Sequence, residues 1–151
     1  MFKVKESPLK LIEIISIEHS VKTVTIPDVT EVNLRDSNIK VDFDKYDKVD
    51  NNDFFSVCLK LDISPKREKQ GYKIKCVVNG YFFINDRINN PDATGLEKSA
   101  LAIVISYSRA YIKTLTYNCR WGKYILPTFD MKDVVDKKIE KLRQKLQENS
   151  K

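Results

Sequence analysis

Three cysteines, one histidine and 21 carboxylates are the side chains in this sequence that could serve as nucleophiles, bases or metal ligands. Cys58, Cys76 and Cys119 are odd in number and widely spaced, with no Cys-x-x-Cys pair. A structural zinc needs four ligands, ordinarily from paired Cys or His, and this inventory does not offer them. A Cys–His dyad needs the base beside the thiol. His19 is far along the chain from every cysteine, and Cys58 and Cys76 sit inside apolar runs, where a thiol is a small buried hydrophobe. Asp42 and Asp44 alternate with apolar residues, so they point to the wet side of a strand rather than across a substrate as acid and base. Asp47, Asp50 and Asp53 recur at every third position, whereas a calcium loop needs every second with a glycine behind. Glycine-rich phosphate loops, Gly-x-Ser-x-Gly and His-Glu-x-x-His are absent. The chain therefore reads as a non-enzyme that needs no metal or cofactor.

What remains is non-covalent chemistry. The formal net charge of +6 favours encounter with anionic partners. Lys60, Lys73 and Lys75 fall in alternating stretches near Tyr81 and Phe83, and aromatics beside lysines on a sheet can stack and neutralise a single strand of nucleic acid. A basic nucleic-acid-binding sheet module is thus one reading. It lacks an RNP-like Gly-Phe-x-Phe run, and acidic residues are interspersed.

The elements that carry these residues follow from periodicity. Leu9 to Glu18 is β-branched and apolar and reads as a strand with both faces at least partly covered, extended by Val21 to Ile26 until Pro27. Ile39, Val41 and Phe43 alternate with Lys40, Asp42 and Asp44 as a half-buried strand. Tyr46 to Asp53 is rich in Asp and Asn and reads as a loop. Phe55, Val57, Leu59, Leu61 and Ile63 form the cleanest period-two run, and Ser64 to Gly71 is a turn. Tyr72, Ile74, Cys76, Val78 and Phe82 complete an antiparallel hairpin, with Asn79-Gly80 read as a bulge. Phe54, Val77, Tyr81 and Phe83 lie on the face opposite the main apolar set, so the sheet displays greasy surface on both sides. That second face calls for a partner, a client or self-association.

Asn85 to Ala93 reads as a loop leading to Thr94, which with Glu97 has the form of a capping box. Leu101, Val104, Ile105, Ser108, Ile112 and Leu115 then share one face of a helix of about twenty residues, roughly 30 Å long. Leu126-Pro127 makes an extended corner and Asp130 is an N-cap for a last helix. Its apolar positions Val135, Ile139, Leu142 and Leu146 form a narrow stripe. The expected class is α+β: a four-stranded antiparallel sheet followed by a long helix and a C-terminal helix. One domain is expected over residues 1–151, with strands in 1–93, the long helix and corner in 94–130, and the last helix in 131–151.

Gly80-Tyr81-Phe82, Ser106-Tyr107-Ser108-Arg109-Ala110 and Leu126-Pro127-Thr128-Phe129-Asp130 resemble, in order and spacing, three short motifs of the SecB export-chaperone family. The second has Ser where the family has Pro, and the match is best from about Phe54 to Val134. The resemblance implies an ATP-independent holdase for unfolded or non-native polypeptides, assembled as a homotetramer. It implies client contacts at Val41, Phe43, Ile74, Cys76 and Val78, and an oligomer interface through the long helix at Leu101, Val104, Ile105, Tyr107 and Ile112. SecB proteins are acidic and meet the export motor SecA through acidic strand residues. Lys75 stands where one of those acids aligns, so the holdase activity carries over and the motor contact does not. A branch dedicated to one partner, such as an antitoxin, also fits. Met1 to Lys10 carries three lysines and a glutamate, and no window approaches a membrane span, so a cytoplasmic location without membrane insertion is expected.

Overall fold

The computed structural model describes residues 1–4, 6–48, 51–66, 69–85 and 93–150. Among them the chain forms β1 (Leu9–Val24), β2 (Ser37–Lys48), β3 (Asn51–Pro65), β4 (Gly71–Ile84), α1 (Ala93–Thr116) and α2 (Met131–Glu148). The strands pair antiparallel in one sheet, in the order β1-β4-β3-β2. The α+β class expected from periodicity is the class observed.

β1 and β2 lie at opposite edges, so residues 25–36 cross one end of the sheet. Gln70, buried just before β4, holds that crossing. Its Nε2 donates to the carbonyls of Val29 at 2.8 Å and Glu31 at 3.0 Å. A buried amide satisfied in this way replaces the water those carbonyls would otherwise need.

Alternation sorts the sheet into two faces. On the inner face Phe55, Val57, Leu59, Leu61 and Ile63 of β3 meet Tyr72, Ile74, Cys76, Val78, Phe82 and Ile84 of β4, and all are buried. α1 lies across them with Leu101, Val104, Ile105, Ser108 and Ile112 turned inward. The spacing read from sequence therefore marks the packed side of the helix, except at Leu115, which is half-buried and outside the core cluster. At Gly80 the two layers come close: a Cβ there would lie 2.5 Å from Val104 Cγ2. Glycine in a strand interior often marks such a contact between backbone and a second layer.

The corner between the helices is tied back to the core. Arg109 Nε donates to the Leu126 carbonyl at 3.0 Å, and its terminal nitrogen to that of Pro127 at 3.2 Å. Tyr72 receives the Trp121 N–H and donates to the Gly122 carbonyl, both at 2.8 Å. Gly122 has φ of 75°, the left-handed region open to glycine. Two of the motifs that resembled SecB thus meet in space, with Arg109 of one gripping the Leu-Pro corner of the other.

Four local expectations change. Asn79-Gly80 is not a bulge: its pairing with Cys58 and Val57 is regular. The register shifts fall on β1, between Leu11 and Glu13 and between Ser16 and Glu18, so Ile12 and Ile17 are the extra residues. β1 is an edge strand, and Leu11, Ile12, Ile15 and Ile17 are exposed rather than covered. Tyr46 to Asp53 is largely ladder: Tyr46 pairs with Ser56, Asp47 with Phe55 and Lys48 with Asn51, leaving residues 49–50 outside the described part. Finally, α1 begins at Ala93, so Thr94 lies inside the helix rather than ahead of it, and Glu97 pairs with Lys45, Oε1 to Nζ 2.5 Å. The preceding loop expected over Asn85 to Ala93 falls mainly at residues 86–92, outside the described part.

Candidate functional site

The outer face of the sheet carries the residues that the core does not use. Along β4 these are Lys73, Lys75, Val77, Asn79, Tyr81 and Phe83. Phe83 faces Phe54 of β3, with ring centroids 4.9 Å apart. Tyr81 faces Glu13 of β1 and Ser56 of β3. Ile12, Ile15, Tyr46, Phe54 and Tyr81 line a groove of about 500 Å³ at this end of the sheet. The bulge at Ile12 lets β1 place both Ile12 and Ile15 beside these rings. Ile12, Ile15 and Tyr46 are 54%, 38% and 56% exposed. Aromatic and aliphatic surface of this kind, open to water on a flat sheet, gains free energy when another apolar surface covers it.

The client residues expected from the resemblance are placed differently. Ile74, Cys76 and Val78 are fully buried beneath α1 and present no surface. They are core residues because they share parity with Gly80, the position where the helix sits. Val41 and Phe43 are half-buried on the inner side of β2, where with Phe129 and Val134 they border a smaller cavity of about 260 Å³ beside α2. The expected interface residues divide likewise. Leu101, Val104, Ile105 and Ile112 are buried against this chain's own sheet, while Tyr107 is half-buried and stacked on Tyr111. Away from that side Ser106 and Ala110 are exposed, Ala102 is half-buried, and Ile103 is half-buried with contact to the core. Phe54, Val77, Tyr81 and Phe83 do occupy the outer face, as alternation indicated. Ile12 and Tyr46 were missed, the first because a bulge flips it and the second because its Asp- and Asn-rich surroundings resemble a loop.

α2 is an appendage to the β2 edge. It has no buried residue, and Asp130 caps it by accepting from the N–H groups of Lys132 and Asp133. Ile139, Leu142 and Leu146 of its stripe are exposed. Met131 and Val135 pack against the core, and charge adds to that contact. Lys138 Nζ reaches Asp42 at 2.8 Å and Asp44 at 2.9 Å, and Lys141 reaches Asp42 at 2.8 Å. Burial alone would raise the Asp42 pKa, but the hydrogen bonds from Lys138 and Lys141 outweigh it and hold the carboxyl well below its usual range. The Lys138 hydrogen bond does the same for Asp44. A depressed carboxyl contributes stability that is complete above its unfolded value of about 3.9 and fades as pH falls through the folded value. Docking of α2 is therefore expected to hold at neutral pH and to weaken progressively below about pH 4. Hydrogen exchange of the α2 amides would report it, and Asp42→Ala with Asp44→Ala should bring the same loosening to pH 7. Protection that stays unchanged in both experiments would mean that the apolar contacts, not the lysines, hold the helix.

Cys58 and Cys76 are buried and not poised as nucleophiles. Burial pushes the Cys76 thiol up to about 11 and raises that of Cys58. His19 Nδ1 lies 3.0 Å from the Tyr111 hydroxyl, tying β1 to α1. No group of three or more His, Cys, Asp or Glu able to hold a metal occurs among the described residues. Nor is any helix among them long and apolar enough to cross a membrane.

The Mycobacterium tuberculosis Rv1957 SecB-like chaperone, solved in complex with a ChAD peptide from the Rv1956 HigA1 antitoxin, matches this chain with a TM-score of 0.55. The match covers 81% of this chain and 88% of that one, at 13% identity. The fold is SecB-like. A protein of unknown function from Streptococcus agalactiae aligns at a TM-score of 0.49 and 13% identity, over 80% of this chain and 97% of its own. No family model matches the sequence, and no curated protein matches it. The likeness is thus one of fold, without a match at the level of sequence.

Proposed function

We propose that this protein is an ATP-independent holdase that binds unfolded or non-native polypeptide, serving export or one dedicated partner such as an antitoxin. The observation that carries the reading is the outer groove of about 500 Å³, with Ile12, Ile15 and Tyr46 open to water beside Phe54 and Tyr81. An extended client laid there would bury apolar side chains without needing a particular sequence, because the hydrophobic effect is non-directional. The SecB-like fold supports this reading, and the neighbour of that fold was itself solved with a bound antitoxin peptide. Assembly into a homotetramer is part of the proposal. Because the inward residues of α1 are occupied, the association would use its other side, around Ala102, Ser106 and Ala110. Several grooves in one assembly then give avidity that offsets weak single contacts.

The test is suppression of aggregation of an unfolded model protein at a stoichiometric ratio, without nucleotide. Aggregation that proceeds unchanged at every ratio would remove the holdase reading. Native mass with and without the unfolded protein gives the assembly and the stoichiometry together.

A further inference from the structure

Away from the aromatic groove, the outer face changes character. Six residues along β4 from Tyr81, a distance of about 20 Å at strand rise, stands Lys75, followed on the same face by Lys73. Lys73 is directly opposite Lys22 of β1, and Lys75 is opposite Ser20. Like charges directly opposed across a strand pair are destabilising. Among the described residues no ion pair engages Lys22, Lys40, Lys73 or Lys75. A depression of about 420 Å³ opens here, with Lys40, Lys60, Lys75 and Lys141 around Val77. Glu18, Asp42 and Asp62 also border it. Lys60 and Lys141 are paired with Asp44 and Asp42, and Asp62 stands opposite both Lys40 and Lys75, one carboxylate between two lysines, so the positive excess is concentrated at Lys73 and Lys22 and shared by Lys75. The aromatic end has the opposite bias: Glu13 and Asp47 line its groove, and its nearest described ion pair is Lys45 with Asp47 at 3.2 Å.

Resting on the holdase reading, we propose that the preferred client is an extended polypeptide segment in which an apolar cluster is flanked on one side by acidic residues. The apolar cluster occupies the aromatic groove. The acidic flank, about six residues further along an extended chain, lies over Lys73 and Lys75. Charge complementarity on one surface then sets both the choice of segment and the direction in which it lies.

Three fluorescent peptides sharing one Phe/Leu-rich centre test this, with a flank of Asp and Glu, of Lys, or of Ser, each made with the flank at either end. Fluorescence anisotropy against the full chain is expected to rank acidic above Ser above Lys. At about 0.05 M salt, where screening is weak, the two extremes should differ by about tenfold, as expected for two or three exposed charge pairs. The gap should close at about 0.5 M, and in the Lys73→Glu, Lys75→Glu variant the order should reverse. If all three peptides bind equally, the charge preference is overturned while client binding stands. If none binds, the holdase reading falls and this inference falls with it. If an oligo-dT competes with the acidic peptide and binds more tightly, with a steep salt dependence, the lysines serve nucleic acid and the proposal is overturned.

Discussion

Val104→Asp is expected to abolish the folded state. Val104 is fully buried on the inward side of α1, directly over Gly80 of the sheet. Its surroundings there are Gly80, the Phe82 ring and the rest of the apolar core, none of which can pair with a carboxylate. An unpaired buried charge costs several kcal/mol even after relaxation, about as much as the whole stability of many small domains, roughly 5–15 kcal/mol. Val104→Ala separates charge from volume: it leaves a cavity and should cost only about 1–3 kcal/mol. Ser106→Asp, two residues on and exposed, should stay within about 0.5 kcal/mol in a single chain. Urea denaturation followed by circular dichroism ranks the three, and native mass shows whether Ser106→Asp separates subunits instead. A stable, folded Val104→Asp would mean that α1 does not pack by this side.

The same pair of residues shows what could be read without coordinates. Within one strand every alternation is legible, so β3 and β4 could be drawn from Phe55 to Ile63 and from Tyr72 to Ile84. The spacing of Leu101, Val104, Ile105, Ser108 and Ile112 is equally local, as is the Asp130 cap. What alternation cannot decide is which of two apolar faces a later helix covers. Ile74, Cys76 and Val78 look as suited to a client as Val77, Tyr81 and Phe83. A signal was present: Gly80 has the parity of Ile74 and Val78, and a strand glycine marks the face where another backbone comes close. Reading it as a bulge hid that meaning. The true bulges, at Ile12 and Ile17, have no such marker, because an extra isoleucine inside an apolar run leaves the composition unchanged. Edge position is also non-local. β1 looks at least partly covered on both faces because it is rich in isoleucine, yet it pairs only with β4 and leaves four of its large hydrophobics in water. The Lys138 link to Asp42 joins residues 96 positions apart, and nothing in either segment announces it.

Ile12→Ser, Ile15→Ser and Tyr46→Ser together should cost the protein its client binding while leaving it folded. All three side chains are more than a third exposed, so each change removes little that the native chain buries. On the client side the loss is larger. Covering a large apolar side chain contributes about 1.5–3 kcal/mol when burial is complete, and three partly covered ones should supply at least about 1.4 kcal/mol, a tenfold change in affinity. Avidity magnifies it, since a weakened groove is repeated in every subunit of an assembly. The matched control is Ile139→Ser, Leu142→Ser and Leu146→Ser, which strips the exposed stripe of α2 of a similar quantity of apolar surface. Titration of an unfolded, labelled protein against both variants, with urea denaturation run alongside, distinguishes the surfaces. Loss only in the first places capture on the outer face of the sheet. Loss only in the second moves it to α2 and leaves the sheet groove without a role in binding. If the two variants lose binding equally, the client bridges both surfaces, and the Lys138–Asp42 link that fixes α2 beside the sheet becomes the natural control over access.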